Sequence, residues 1–300
     1  MTSKKARIRD SRGDVIFMVM VYGLLTLSAL LVVYPLVYVV SASFSTASDV
    51  ISGRMWLFPV NPTTFAYEQV FKNKAILSGY INSILYAIGG TALSLVVTIC
   101  AAYPLSRPKL IGKGLVSKLF IFATLFSGGL IPFYLVVRGL GMVDTRASVM
   151  VPFALNVFHV ILMRTNIQTT VPEEMLEAAD IDGASHFRKL ITMVLPLSGS
   201  ILAVLALYGI VGQWNSYFYP MVFLSRQDTY PLQIVLRDIL IMNSLTTDMT
   251  VNVTEMMLKQ GLADVMKYAL IVLASAPLLV IYPFVQKYFV KGVMMGSLKG

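Results

Sequence analysis

The sequence is poor in the groups that most protein chemistry needs. Its 300 residues include one cysteine, Cys100, so no disulfide can close within the chain. Cys100 sits in an apolar run, where a free thiol acts as a small hydrophobe. One cysteine and two histidines do not make a zinc-ligand cluster. Charge is scarce as well: Asp, Glu, Lys and Arg supply 13% of the residues, about half the share usual in soluble domains. No G-x-x-x-x-G-K-[ST] phosphate loop occurs, so a nucleotide motor of that type is excluded. No nucleophile, base and orienting group form a recognisable trio, which argues against an enzyme. No acid or lysine interrupts the long apolar runs, which argues against a proton-coupled carrier.

Apolar surface is what the chain has in excess. Hydrophobic residues make up 57% of it. A soluble fold of this length cannot hide that much, whereas a bilayer acts as its solvent. Net charge is +9, from 24 Lys and Arg against 15 Asp and Glu. The basic residues lie in short pieces between apolar runs and assemble no face for nucleic acid. They read as topology signals and lipid head-group contacts.

Six stretches carry no Asp, Glu, Lys or Arg: 15–48, 75–106, 119–137, 147–163, 190–225 and 268–286. A spanning helix needs about 20 residues, with a range of about 17–25. Backbone groups in lipid must pair within the segment, so each run is expected to be helical. The expected fold is an all-α polytopic membrane protein with about six transmembrane helices. The fourth run is the weakest: it is short and contains Pro152, Asn156 and His159. The first run follows Lys4, Lys5, Arg7, Arg9 and Arg12 and precedes Ser41-Ala42-Ser43, as a signal peptide does. It exceeds the roughly 7–15 residues of a signal core and reads as a retained span.

With the N-terminus inside, the inside segments hold fifteen of the 24 basic residues: five before Val15, four in 107–118, three in 164–189 and three from Lys287 onward. This bias obeys the positive-inside rule and places both termini in the cytoplasm. Residues 1–14 then form a cytoplasmic segment, 15–290 a transmembrane domain with an inside loop at 164–190, and 291–300 a cytoplasmic tail. The outside loop 42–78 holds Trp56, Phe58, Phe65, Tyr67 and Phe71, with Thr63 or Thr64 placed to cap a short helix ending near Lys72. The outside loop 214–267 repeats Met242, Met249 and Met256 every seven residues. That spacing reads as an apolar helix stripe before it reads as a Cu(I) site.

The inside loop 164–189 is too polar to span and too long for a simple turn. Thr170 with Glu173 reads as a capping box around Pro172 in a first helical turn. Glu173, Glu174 and Glu177 sit near the positive end of that helix dipole. Ala178 and Ala179 permit close approach of another surface, and Gly183 can take a positive φ. A second short helix is expected to hold Phe187, Arg188 and Lys189. On these residues alone the loop is an amphipathic connector.

The pattern Glu177-Ala178-Ala179, three residues, Gly183, nine residues, then Met193-Val194-Leu195-Pro196 resembles the EAA loop of ABC importer permeases. The family has Ile where this chain has Met193, a change that keeps volume and polarity. Trp56-Leu57-Phe58-Pro59, the run Phe126-Ser127-Gly128-Gly129-Leu130-Ile131-Pro132, Trp214-Asn215-Ser216, Tyr230-Pro231-Leu232-Gln233 and the tail from Gln286 to Gly300 are similar to maltose-type carbohydrate permeases. The oligosaccharide and polysaccharide branch, with its alginate-type importers, matches best. The resemblance implies a type I ABC importer permease fold in a bacterial cytoplasmic membrane. It implies a heterodimer with a second, homologous permease, two ATPase subunits that carry ATP and Mg, an extracytoplasmic solute-binding protein, and a carbohydrate substrate. No cofactor is expected on this chain. Glu177, Ala178, Ala179, Asp182, Gly183, Phe187 and Pro196 are the implied ATPase-coupling residues, and Gly296, Lys299 and Gly300 the implied tail contact. A permease for a non-sugar solute is the alternative within the family.

Sugars call for amide and hydroxyl hydrogen bonds and aromatic faces. Asn82, Asn156, His159, Gln213, Trp214 and Asn215 are such groups within or near the spans. Each is equally suited to a helix–helix hydrogen bond or, for Trp214, to an interface anchor.

Overall fold

The computed structural model describes residues 11–245, 266–283 and 286, and among them helices are the regular structure. The chain divides into two compact units, residues 1–70 with 245–273, and 71–244 with 274–300.

In the first unit, helix α1 (Arg12–Ser43) begins with a capping box in which Ser11 and Asp14 exchange backbone-to-side-chain hydrogen bonds of 3.1 and 3.2 Å. Its 32 residues span about 48 Å at about 1.5 Å per residue, more than the roughly 30 Å of a hydrocarbon core. No residue of it before Ser41 is buried, as suits a lipid-facing helix. The loop that follows is built, with α2 (Ala47–Ile51) and α3 (Phe65–Lys72) in it. Asp49, 3% exposed, accepts hydrogen bonds from the Thr46 hydroxyl (2.6 Å) and the Asn61 amide (2.9 Å). These bonds, Thr46 first, hold its carboxyl below the ordinary value. The Ser43 and Tyr67 hydroxyls lie 2.8 Å apart, and Thr63 accepts the Phe65 N–H at 3.2 Å, which places the start of α3 where the sequence puts it.

The second unit is organised around α4 (Lys74–Ser106). It is followed by α5 (Lys113–Leu125), α6 (Leu130–Gly139), α7 (Ala147–Met150), α8 (Val157–Thr170), α9 (Glu173–Ile181) and α10 (His186–Lys189). A π-helical turn, Leu190–Val194, leads into α11 (Leu195–Leu197), α12 (Gly199–Trp214), α13 (Phe218–Phe223) and α14 (Leu232–Leu245); α15, the helix Met266–Pro283, has its residues 266–273 in the first unit and 274–283 in the second. Helices α8 and α12 pack on α4. Small residues allow such close approach: a Cβ on Gly209 of α12 would lie 2.8 Å from Thr91 of α4, and one on Gly79 of α4 would lie 3.1 Å from the Leu232 backbone at the start of α14. The apolar core joins Ala102, Tyr103 and Leu105 of α4 to Val160, Met163 and Ile167 of α8, with Leu176, Val194 and Leu205.

The runs do not form six straight helices among the described residues. α1, α4 and α15 are long and apolar enough to cross unaided. The third run is broken at 126–129, where Gly129 takes φ +82° and α5 and α6 meet at a bend of 119°. The fifth is bent by 83° between His186–Leu197 and α12. The fourth is split. Pro152 falls in irregular chain after α7, Asn156 caps α8 by accepting the His159 N–H at 3.3 Å, and the helix runs on through Arg164 to Thr170. Asn156 is therefore a start signal for the helix, and the expected boundary at Met163 is corrected by seven residues.

Candidate functional site

Two places in the second unit gather the candidate residues. The first is the loop after α8. The expected Thr170–Glu173 capping box is absent. Thr170 ends α8 and its hydroxyl accepts from the Asn166 amide at 3.3 Å, so it is not free to cap α9. Pro172 stands at the cap position itself, with no side-chain cap bond, and Glu173 and Glu174 fill the first turn of α9, where the dipole favours them.

α9 ends in a Schellman turn. Gly183 has φ +71°, its N–H donates to the Asp180 carbonyl at 3.1 Å, and the Ala184 N–H donates to the Ala179 carbonyl at 2.9 Å. The positive φ read from the sequence is present, and it is the reason for glycine there. Ser185 then caps α10 by accepting the Arg188 N–H at 3.3 Å. Glu177, Ala178, Asp182, Gly183, Phe187 and Pro196 are exposed. Ala179 is not: at 3% exposure it turns inward with Leu176. A bulkier residue at 179 would disturb this chain's own packing. Two features of the loop are not legible in the motif. Ile181 is 89% exposed and Phe187 71%, two exposed apolar side chains on a charged loop. Lys189, 3% exposed, forms an ion pair with Asp180 across the turn, and that hydrogen bond holds the Asp180 carboxyl below its ordinary value.

The second place is a cavity of about 220 Å³ where α4, α8 and α12 meet. Asn156, His159 and Gln213 line it, so half of the six path candidates converge there. Ser94 and Ser216 add hydroxyls, and Phe153, Tyr208 and Tyr219 add aromatic surface. The Phe153 and Tyr219 rings lie 4.7 Å apart, and His159 stacks on Tyr208 at 6.1 Å. Gly90 makes room for Gln213: a Cβ there would sit 2.8 Å from its amide nitrogen. Among the described residues, no Lys, Arg, Asp or Glu lines the cavity. Its chemistry is amides, hydroxyls, one imidazole and ring faces. The added aromatics carry no sequence signal, since each sits in a segment that is apolar throughout.

The other three candidates go elsewhere. The Asn82 amide donates to the carbonyls of Asp228 (2.7 Å) and Tyr230 (3.1 Å), and its oxygen accepts from Arg146 at 3.2 Å. It fastens the loop that holds Asp228 and Tyr230 to α4. Trp214 is buried; its N–H donates to the Ala274 carbonyl at 2.9 Å and its ring meets Tyr80 edge-on at 5.5 Å. Asn215 is the exposed cap of α12. Gly296, Lys299 and Gly300 lie outside the described residues, as do Met249 and Met256.

No family model matches the chain. Two curated proteins of Bacillus subtilis (strain 168) are similar to it over most of both lengths. Protein LplC is 38% identical over 89% of this chain and 90% of its own. The polygalacturonan/rhamnogalacturonan transport system permease protein YtcP is 36% identical over 95% of this chain and 99% of its own. Among solved structures, a chain from a bacterial ABC transporter involved in the import of the acidic polysaccharide alginate superposes with a TM-score of 0.86. It is 33% identical, over 94% of this chain and 100% of that one.

Proposed function

The chain belongs to the permease subunits of carbohydrate ABC transporters, and from that premise we propose that it carries an oligosaccharide or polysaccharide fragment into the cytoplasm through the cavity between α4, α8 and α12. As a permease it is a membrane transport subunit and not the ATP-hydrolysing enzyme; an ATPase and a solute-binding protein are its partners. The finer assembly is a heterodimer with a second permease on two ATPase subunits, which bind the ATP and Mg. Both termini and the loop 164–190 face the cytoplasm. Glu177, Ala178, Asp182, Gly183 and Phe187 form the surface offered to the ATPase, joined by Ile181. Gly296, Lys299 and Gly300 of the tail make a further contact with it.

The cavity lining is the observation that carries the substrate reading. Hydroxyl-rich sugar rings are bound by amides and by aromatic faces, and Asn156, Gln213, Tyr208 and Tyr219 supply both. Its volume is below the roughly 300–1,000 Å³ of a whole ligand site, as befits one wall of a path shared with a partner permease. The names of the relatives, which give polygalacturonan, rhamnogalacturonan and alginate, support a polymeric glycan as the source of the substrate.

Reconstituted complex with its binding protein tests this. Uptake of oligosaccharides of graded length is measured for wild type, Asn156→Ala and Gln213→Ala. Removing an amide from a sugar hydrogen bond is expected to cost about 0.5–1.5 kcal/mol, seen as a severalfold weaker apparent affinity with assembly unchanged. Unaltered affinity in both variants rejects the cavity as the path. Uptake of peptides in place of glycans rejects the substrate class.

A further inference from the structure

We propose that the Asp180–Lys189 ion pair is a mechanical link that makes α9 and the start of the fifth apolar run move as one body. The proposal rests on the reading of α9 as the helix that the ATPase moves.

The loop needs such a link. α9 has nine residues and α10 four, lengths at which helices do not hold themselves. In the turn between them Asp182, Gly183 and Ser185 are exposed and Ala184 half-buried, and beyond Gly183's chain neighbours no atom lies within 4 Å of where its Cβ would be. A push on the exposed face of α9 would spend itself in flexing that turn unless something bridges it. Two contacts do. Leu176 and Ala179 turn inward, with Leu176 in the core beside Val171 and Val194. Asp180 reaches across to Lys189. The pair is lopsided: the Asp180 side chain is 58% exposed and that of Lys189 only 3%. A buried ammonium without its counter-ion is costly, so Lys189 holds its carboxylate firmly, and the carboxylate belongs to α9.

Lys189 stands where force has to go next. It directly precedes the π-helical turn Leu190–Val194, and the helical rod continues to Leu197. π-turns are costly and concentrate at functional segments. The rod meets α12 at a bend of 83°, at Ser198. Ser198 is fully buried, and its N–H is shared between the Val194 and Leu195 carbonyls at 3.0 and 3.1 Å. α12 carries Gln213 and Tyr208 of the cavity. Clamp, rod and joint thus form one continuous route from the loop surface to the cavity wall. A bare structural staple would need none of this placement.

The test uses the reconstituted complex with binding protein and a transported oligosaccharide. Three things are read: co-purification with the ATPase, basal ATP hydrolysis, and its stimulation by loaded binding protein. The variants are Asp180→Asn, Lys189→Met, the double Asp180→Asn/Lys189→Met, and Ala178→Arg on the exposed face of α9. The double variant leaves no unpaired buried charge, so it removes the link without the folding penalty. All three link variants are expected to lose stimulation by about fivefold or more, the range of an allosteric coupling energy, with basal hydrolysis and assembly near wild type. Restored stimulation in the double variant would overturn the proposal, since it would show that only charge burial matters. Ala178→Arg separates the two readings. If it abolishes stimulation while the double variant does not, the docking surface stands and the link falls. If it leaves assembly and stimulation intact, the docking reading fails and the link falls with it.

Discussion

Gly183→Val should uncouple the transporter without unfolding it, and the size of the effect follows from the turn. At φ +71° an L-residue brings its Cβ against its own backbone, at a cost of about 1–2 kcal/mol. The surroundings leave the Cβ free, because beyond the chain neighbours no atom lies within 4 Å of it. The strain is relieved only by opening the turn. That sacrifices the Gly183 and Ala184 N–H bonds to Asp180 and Ala179, each worth about 0.5–1.5 kcal/mol. Strain and relief are of equal size, so the valine variant divides its population between a strained turn and an open one. The open form displaces α10 from α9. Asn tolerates the left-handed region, so Gly183→Asn should stay close to wild type and Gly183→Ala should fall between. The assay is ATP hydrolysis stimulated by loaded binding protein, at equal membrane expression. Valine equal to glycine refutes the role of the turn. Asparagine as poor as valine refutes the backbone argument and points to steric contact with the partner.

Gly209→Ala should lower the thermal stability of the purified protein, since its Cβ would sit 2.8 Å from Thr91 and overpacking costs about 1–3 kcal/mol. Adding Thr91→Ala should recover most of the loss, and a thermal-shift assay in detergent that shows no loss in the single variant contradicts the α4–α12 contact. Trp214→Phe removes the N–H bond to the Ala274 carbonyl and should cost about 1 kcal/mol of stability while leaving apparent sugar affinity unchanged; weakened affinity would return Trp214 to the path. In that background Trp56 is the remaining tryptophan and reports on the loop around Asp49. Because the folded carboxyl of Asp49 lies below its ordinary value of 3.8, its stabilisation is full above that pH and is lost as the pH falls through the folded value. Trp56 emission should therefore hold steady from about pH 8 to 5 and change only below about pH 4; a transition between pH 5 and 8 would refute the assignment.

Residence in the membrane was legible because it needs no partner. A charge-free run such as 15–48 is longer than a bilayer is thick and has only one solution, a helix. Gly183 was legible for a similar reason: a positive φ is a demand made by one residue on its own backbone, and the structure has it there. So was the start of α3 directly after Thr63 and Thr64. The capping box failed because Thr170 and Glu173 have the right spacing for α9, yet nothing local says that α8 runs on to Thr170. The broken third and fifth runs failed because hydropathy does not report direction, and a bend at Gly129 or Ser198 keeps composition unchanged.

Segment length, apolarity and residue spacing are properties of the chain, and they were enough to read a helical membrane permease with a motif-bearing loop at 164–190. Which polar groups work together depends on packing. Asn156, His159 and Gln213 face one cavity, while Asn82 and Trp214, of the same chemistry, hold backbone carbonyls. Ala179 faces inward where its neighbour Ala178 faces out, and Asp180 meets Lys189. In a helix that is apolar on every side, hydropathy has no preferred direction around the axis. The azimuth of each side chain is then set by what packs beside it: the glycines at 90 and 209 that let α12 close on α4, and the turn that folds α10 back toward α9.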